Sequence, residues 1–117
     1  MRDEFEIYND LVPLMNNLID ENYSVYAHHN RTSGYGFYID NKNNHYVEVR
    51  IWKDYIRENS DLVLKAYAKV HLLKRCTKYG HDCVNDEELR VSPQIFDTKE
   101  IETTINQYLK EIEGLNA

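Results

Sequence analysis

The chain has 117 residues, of which 42% are hydrophobic and 29% are charged, and its formal net charge is −6 at pH 7. This length is typical of one domain, and the hydrophobic fraction excludes an intrinsically disordered chain. No apolar stretch approaches the roughly 20 residues that a membrane-spanning helix needs, and the acidic start is unlike a secretory signal. We therefore expect a single domain over residues 1–117, located in the cytoplasm and not inserted in a membrane.

The charge is distributed unevenly along the chain. Residues 1–23 carry a net charge of −5, residues 24–83 a net charge of +4, and residues 84–117 a net charge of −5. Acidic surfaces repel phosphate backbones and attract basic protein surfaces. Direct nucleic-acid binding is therefore not expected, and a basic protein partner is.

The first predicted element is an amphipathic helix. Apolar side chains recur at helical spacing between Tyr8 and Ile19, which places them on one face. Pro13 interrupts this pattern, and two arrangements fit it. Either Asn9 or Asp10 caps a helix that has Pro13 in its first turn, or a longer helix is kinked at Pro13.

Period-two patterns then predict strands. Alternation indicates strands at 23–28, 35–40 and 45–52, and a polar turn joins the last two as a β-hairpin. Residues 54–61 are predicted to be a connection with at most one helical turn, and residues 62–72 return to strict alternation. Such alternation implies one buried and one exposed sheet face, and hence an antiparallel sheet.

The remaining segment predicts a loop, a short edge strand and a helix. Residues 74–90 have no period, and the apolar run that follows contains Pro93, which limits it to an edge strand. Asp97 and Glu100 form a capping box for a final helix that ends at Gly114. Its apolar stripe consists of Ile101, Ile105, Tyr108, Leu109 and Ile112.

The predicted order of elements is α-β-β-β-β-(β)-α. Neither helix can bury its stripe alone, so both are expected on the apolar face of one antiparallel sheet of four to five strands. The chain is therefore predicted to be a two-layer α+β domain. The opposite sheet face is expected to display an aromatic and basic set: Tyr26, Tyr38, Tyr46, Arg50, Trp52, Lys65, Tyr67 and Lys69.

Four side chains that can bind zinc fall within thirteen residues of the loop region: His71, Cys76, His81 and Cys83. Tetrahedral Zn²⁺ prefers thiolate and imidazole ligands, and Gly80 would allow the loop to fold back. A structural zinc would hold this long loop in place. Two alternatives remain open, namely two free thiols or a disulfide between the two cysteines.

No pattern in the chain indicates catalysis. His28-His29-Asn30 begins like a His-Asn-His nuclease motif, but that class needs a helix after its hairpin and none is predicted there. Ser33-Gly34-Tyr35-Gly36 precedes a strand rather than a helix, so it indicates a turn and not a phosphate-binding loop. No serine or cysteine has a positioned base beside it. A binding protein is therefore expected rather than an enzyme.

Two groups of acidic side chains are candidates for contact with a basic partner. The group at the N-terminus consists of Asp3, Glu4 and Glu6. The group in the loop consists of Asp82, Asp86, Glu87 and Glu88.

A small acidic chain that is rich in Tyr and Asn, with acidic helices at both ends of an antiparallel sheet, resembles phage-encoded inhibitors of bacterial defence. It is similar in style to the anti-CRISPR proteins that block type II Cas9 nucleases. The resemblance covers architecture and charge rather than a motif. It implies that the protein works in the host-cell cytoplasm, where Asp86, Glu87 and Glu88 occupy a basic, nucleic-acid-facing surface of Cas9 and hinder DNA loading. The basic middle of the chain departs from a full DNA mimic.

Two other functions fit the sequence. One is an immunity or antitoxin-like module with a protein target. The other is a zinc-stabilised nucleic-acid-binding domain, in which bases stack on aromatic rings that alternate with cations. That domain would use Arg50, Trp52, Lys65, Tyr67 and Lys69.

Overall fold

The computed structural model describes residues 3–30, 34–40, 44–76 and 85–115. Its elements in chain order are α1 (Glu4–Asp20), β1 (Ser24–Asn30), β2 (Gly34–Asp40), β3 (His45–Glu58), β4 (Asp61–Lys74), β5 (Glu87–Val91) and α2 (Thr98–Leu115). The strands form one antiparallel sheet in the order β1-β2-β3-β4-β5. The predicted α+β fold with a helix at each end is confirmed.

The core lies between the two helices and one face of the sheet. Val47, Val49 and Ile51 alternate along β3 and are fully buried, as period two requires of a strand with one covered face. All five predicted apolar positions of α2 are buried as well. Burying one aliphatic side chain contributes about 1.5–3 kcal/mol, so this layer supplies most of the favourable free energy of folding.

Of the two arrangements predicted around Pro13, the structure has the long helix. Pro13 lies inside α1, which starts after Asp3. The Asp3 carboxylate accepts a hydrogen bond from the Glu6 backbone N–H at 2.8 Å and so caps the helix. Ile19 was expected in the apolar stripe but is half exposed. The buried stripe consists of Ile7, Leu11, Met15 and Leu18.

Residues 54–61, predicted to be a connection, belong instead to a long hairpin. β3 and β4 have 14 residues each and pair along their whole length. Only Asn59 and Ser60 form the turn, with φ of 48° and 72°, and a two-residue loop with positive φ at both positions matches the twist of the strands. The prediction was wrong because neither face of this end of the hairpin is covered. Polar side chains therefore occur on both faces, and the sequence here does not show the apolar–polar alternation from which a strand is predicted.

The hairpin projects beyond its neighbouring strand as an arm, which we define as residues 53–65. β2 pairs with β3 only as far as Ile51. Fourteen residues at about 3.3 Å each span roughly 46 Å, and the longest dimension of the molecule is 46 Å. Tyr55 and Leu62 on this arm are 65% and 64% exposed. The arm therefore presents apolar side chains away from the core.

The loop predicted over residues 74–90 is shorter than expected, because β5 already begins at Glu87. β5 is an edge strand, as Pro93 led us to predict, and its pairing with β4 shifts register between Leu72 and Leu73. Such a shift marks a β-bulge. No helix in the described part of the chain has the length and apolar character that crossing a bilayer requires.

We expect Ser60→Gly to raise the free energy of unfolding by about 0.5–1 kcal/mol, because glycine adopts positive φ without the steric cost that a side chain imposes. Urea denaturation measures the change. Asp61→Gly, one residue further along in β4, is the matched control and should lower stability instead. A Ser60→Gly variant that is no more stable than the parent would contradict the turn assignment.

Candidate binding surfaces

A cluster of polar side chains lies on the sheet face opposite the helices, and every strand contributes to it. We call it the Glu48 cluster. Its members are His28, Tyr38, Glu48, Arg50, His71 and Glu88.

Glu48 lies at the centre of this cluster and is only 3% exposed. The Arg50 guanidinium donates to Glu48 Oε1 from Nε and from a terminal nitrogen, both at 2.9 Å. A buried carboxylate without a partner costs several kcal/mol, and Arg50 supplies the opposite charge that offsets this cost. The same hydrogen bond raises the pKa of Arg50. Burial, helped by the Glu48 carboxylate, raises the pKa of Tyr38.

The His28 ring lies across Gly36 of the adjacent strand, with which it is in register. A Cβ at Gly36 would lie 2.4 Å from His28 Nε2 and 2.4 Å from the Val49 carbonyl oxygen, so only glycine leaves room for the ring. His28 Nε2 is 3.8 Å from Glu48 Oε2, and the centre of the ring is 4.9 Å from that of Tyr38, with the two rings tilted by 37°. Burial lowers the pKa of His28 despite the nearby carboxylate.

His71 faces Glu48 across the β3–β4 ladder and is buried. Its Nδ1 is 2.8 Å from Glu88 Oε2, and its buried Nε2 has no hydrogen-bond partner among the described atoms. Because an ionised carboxylate can only accept, Nδ1 donates in this contact. In a neutral ring Nε2 would then be the nitrogen left to bind a metal.

The other predicted zinc ligands are not assembled around His71 in the described part of the chain. Cys76 is disulfide-bonded, which is one of the alternatives left open above, and its sulfur is then not the thiolate that zinc prefers. His81 and Cys83 lie outside the described residues. Within residues 3–30, 34–40, 44–76 and 85–115, no three His, Cys, Asp or Glu side chains converge to hold a metal. Zinc binding by the reduced protein stays a prediction.

Two of the acidic loop residues predicted to contact a partner make internal bonds. Asp86 accepts hydrogen bonds from the Tyr46 hydroxyl at 2.6 Å and from the Cys76 backbone N–H at 2.9 Å. The Tyr46 bond is the main cause that lowers the pKa of Asp86. Glu88 is engaged with His71, Glu87 is exposed, and Asp82 lies outside the described residues.

The acidic residues at the N-terminus are far from that loop. Asp3 caps α1, and Glu4 pairs with Lys53 of β3 at 3.3 Å. Lys53 is seven residues along β3 from Tyr46, which contacts Asp86, and seven strand residues span roughly 23 Å. The two predicted acidic groups therefore do not form one surface.

The two helices bring a different set of acidic residues together. Residues 3–21 contain six acidic and no basic residues, and α2 carries a net charge of −2. Because the whole chain carries −6, the remainder is net positive. α1 and α2 pack against one another, with the Tyr23 hydroxyl donating to Glu113 Oε1 at 3.1 Å. We call this surface the acidic helical face, and its exposed residues include Glu6, Asp20, Glu21, Glu100 and Glu113.

Except for Glu6, the exposed acidic residues of this face were missed by sequence reasoning. The sequence did indicate them, because these acidic residues occupy solvent-facing positions of two helices that were predicted to lie on the same side of the sheet. By contrast, several members of the aromatic and basic set predicted for the opposite face are paired with carboxylates or buried. Arg50 and Lys65 each have a carboxylate within ion-pair distance, and the rings of Tyr46 and Tyr67 are buried.

We expect Gly36→Ala to destabilise the fold by about 1–3 kcal/mol, because the new Cβ would overlap the Val49 carbonyl oxygen and the His28 ring. Gly114→Ala is the matched control, since no described atom beyond its own turn of helix lies within 4 Å of the Cβ that it would add. The control should leave stability unchanged or slightly higher. Equal thermal midpoints for the two variants would contradict the position assigned to His28.

The lowered pKa of His28 predicts a pH dependence of stability. The folded state gives up this proton more readily than the unfolded chain, whose histidine has its ordinary pKa of 6.5. The unfolded state therefore binds more protons as the pH falls below that value, and stability is lost. We expect the parent protein to lose stability relative to His28→Gln between pH 7.5 and about 5. Parallel stability curves in urea denaturation would contradict this.

Comparisons with known proteins do not relate this chain to any of them. No protein-family model matches the sequence, no curated protein matches it, and no solved structure matches it. The surfaces described above are the basis for the function proposed next.

Proposed function

We propose that this protein is an inhibitor that binds the basic, nucleic-acid-facing surface of a nucleic-acid-processing enzyme, with type II Cas9 as the candidate target. The observation that carries the proposal is the acidic helical face. The helical layer concentrates more negative charge than the whole chain carries, because the remainder of the chain is net positive. A surface of one sign attracts an oppositely charged partner and speeds its association.

The charge density of α1 can be compared with that of the DNA with which the protein would compete for a basic surface. The helix and its two caps, residues 3–21, contain six acidic residues and span about 28 Å at 1.5 Å per residue. This is one charge for roughly every 5 Å, against about 3.4 Å for one DNA strand and 1.7 Å for the duplex. Such a face matches a local patch of Lys and Arg rather than a whole duplex-binding channel. Inhibition would therefore be steric and local.

Direct nucleic-acid binding has less support. Two of the cations proposed for it, Arg50 and Lys65, are paired with carboxylates, and the Tyr67 ring is buried. A stacking platform needs accessible rings beside available cations. An immunity or antitoxin-like protein would use the same acidic helical face against a toxin, so the identity of the partner separates that function from the one proposed here.

Double charge reversal on α1 tests the proposal. Glu6→Lys combined with Asp20→Lys should weaken binding to purified Cas9 at least about tenfold, or about 1.4 kcal/mol. The matched control, Asp54→Lys with Asp61→Lys on the arm, makes the same change in net charge and should bind like the parent. Calorimetry measures the affinity, and fluorescence anisotropy measures the loss of target-DNA binding by Cas9.

The parent complex should also weaken between 50 and 300 mM salt, because screening shortens the reach of charge attraction. Full inhibition by the Glu6→Lys, Asp20→Lys variant would rule out the acidic helical face as the contact surface. Absence of any complex between the parent protein and Cas9 would rule out Cas9 as the target.

A further inference from the structure

The exposed edges of this sheet are protected to very different degrees. An edge strand presents unpaired N–H and C=O groups that can pair with another chain, and proteins usually blunt such edges with charges, proline, bulges or short length. An edge without these devices is a site for strand pairing. The described residues contain three stretches of edge to compare: β5, the arm and β1.

β5 and the arm are both protected. β5 has only five residues, three of them charged, and it carries the bulge opposite Leu72 and Leu73 with Pro93 shortly after it. Both strands of the arm carry charged side chains along their length. Those charged residues are Lys53, Asp54, Arg57, Glu58, Asp61 and Lys65.

β1 has none of these devices. Its seven residues, Ser24–Asn30, include no charged residue, proline or glycine. It pairs with β2 at every position without a register shift, and it has no second neighbour in the described sheet. Tyr26 is 60% exposed, and Ala27 and His29 are exposed as well. The free edge of β1 is therefore long, regular and uncharged.

We propose that β1 pairs antiparallel with β1 of a second copy of this chain, which would join the two sheets into one of ten strands. This inference does not rest on the proposed function. A second copy fits this edge because β1 is complementary to itself. In a pairing centred on Ala27, the smallest side chain of β1 faces itself across the two-fold axis. Tyr26 then lies opposite His28 of the second copy, and both project from the sheet face that bears the Glu48 cluster.

Contacts of this kind already occur within the chain. The rings of His28 and Tyr38 are in tilted contact at 4.9 Å, and His29 stacks on Tyr35 at 4.3 Å. Aromatic pairs across neighbouring strands are a regular source of sheet stability. The symmetric pairing would repeat the Tyr–His contact twice, once on each side of the axis.

Charge also favours β1 as the contact between copies. A two-fold interface is isologous, so one surface patch meets the same patch of the second copy, which is unfavourable over most of a chain with a net charge of −6. Asp20 and Glu21 lie beyond its Ser24 end, while Asp40 and Glu48, which are closer to β1, are each paired with an arginine. Antiparallel pairing separates the two Ser24 ends by roughly 20 Å, which exceeds the screening length of about 8 Å at physiological salt. The pairing therefore avoids self-repulsion.

Sedimentation equilibrium of the full chain between 2 and 200 µM tests the proposal. The average mass should rise with concentration from 14.0 kDa towards twice that value. A parent protein that stays monomeric throughout this range overturns the proposal.

Charges introduced at the two-fold axis locate the interface. Ala27→Lys and Ala27→Glu should each weaken self-association at least tenfold, because each sets like charges face to face. An equimolar mixture of the two should restore a dimer. Leu89→Lys on β5 is the control and should dimerise like the parent. Dimers of unchanged affinity in both Ala27 variants would overturn the proposal.

Hydrogen exchange on the parent protein provides a test that needs no substitution. Amides of β1 should exchange more slowly at 200 µM than at 2 µM, while those of β5 should exchange at the same rate. Slowing confined to β5 or to the arm would overturn the assignment to β1.

Discussion

One-sided burial of the sheet is the constraint on which the rest of the structure depends. Alternate residues of β3 and β4 are apolar, and α1 and α2 both cover the face that these residues form. Covering a single face with both helices has two consequences. The outer sides of the helices, which are rich in Asp and Glu, adjoin where α1 and α2 pack against one another. The uncovered face must pair its own polar groups, and the Glu48 cluster pairs Glu48 with Arg50 and His71 with Glu88.

The Glu48 cluster is a network of paired charges, although it resembles a catalytic site by composition. The buried Nε2 atoms of His28 and His71 are the two positions in it without a hydrogen-bond partner among the described atoms. The Glu48 carboxylate is neutralised by Arg50, and His71 is oriented by Glu88. Gly36 allows this arrangement because the absence of a Cβ lets the His28 ring lie flat on the sheet beside Glu48. Such networks stabilise one particular register, since a one-residue slip would expose the apolar face and bury unpaired polar groups.

Much of the fold could be predicted from the sequence, because periodicity reports directly on one-sided burial. The stripe of α2 and the alternation over residues 62–72 are clear, since each element has one covered face. The arm could not be predicted in the same way, because Tyr55 and Leu62 are exposed and no burial contrast marks them. The acidic helical face depends on where two distant segments meet. The contacts of Asp86 with Tyr46, and of His71 with Glu88, depend on strand register, which composition does not encode.

The sequential order of the strands has a consequence for how the chain reaches its fold. Each strand pairs with the next in sequence. The first three ladders close across short connections, and only the β4–β5 ladder needs the longer segment 75–86 to be closed first. Chains dominated by such near-neighbour contacts fold quickly for a β-rich protein. The β3–β4 hairpin is the longest of these ladders, and its hydrogen bonds can form in succession from the turn at Asn59 and Ser60. The paired strands then provide the edges with which β2 and β5 pair. The two terminal helices, 88 residues apart at the Asp10–Thr98 contact, depend by contrast on contacts between distant segments of the chain.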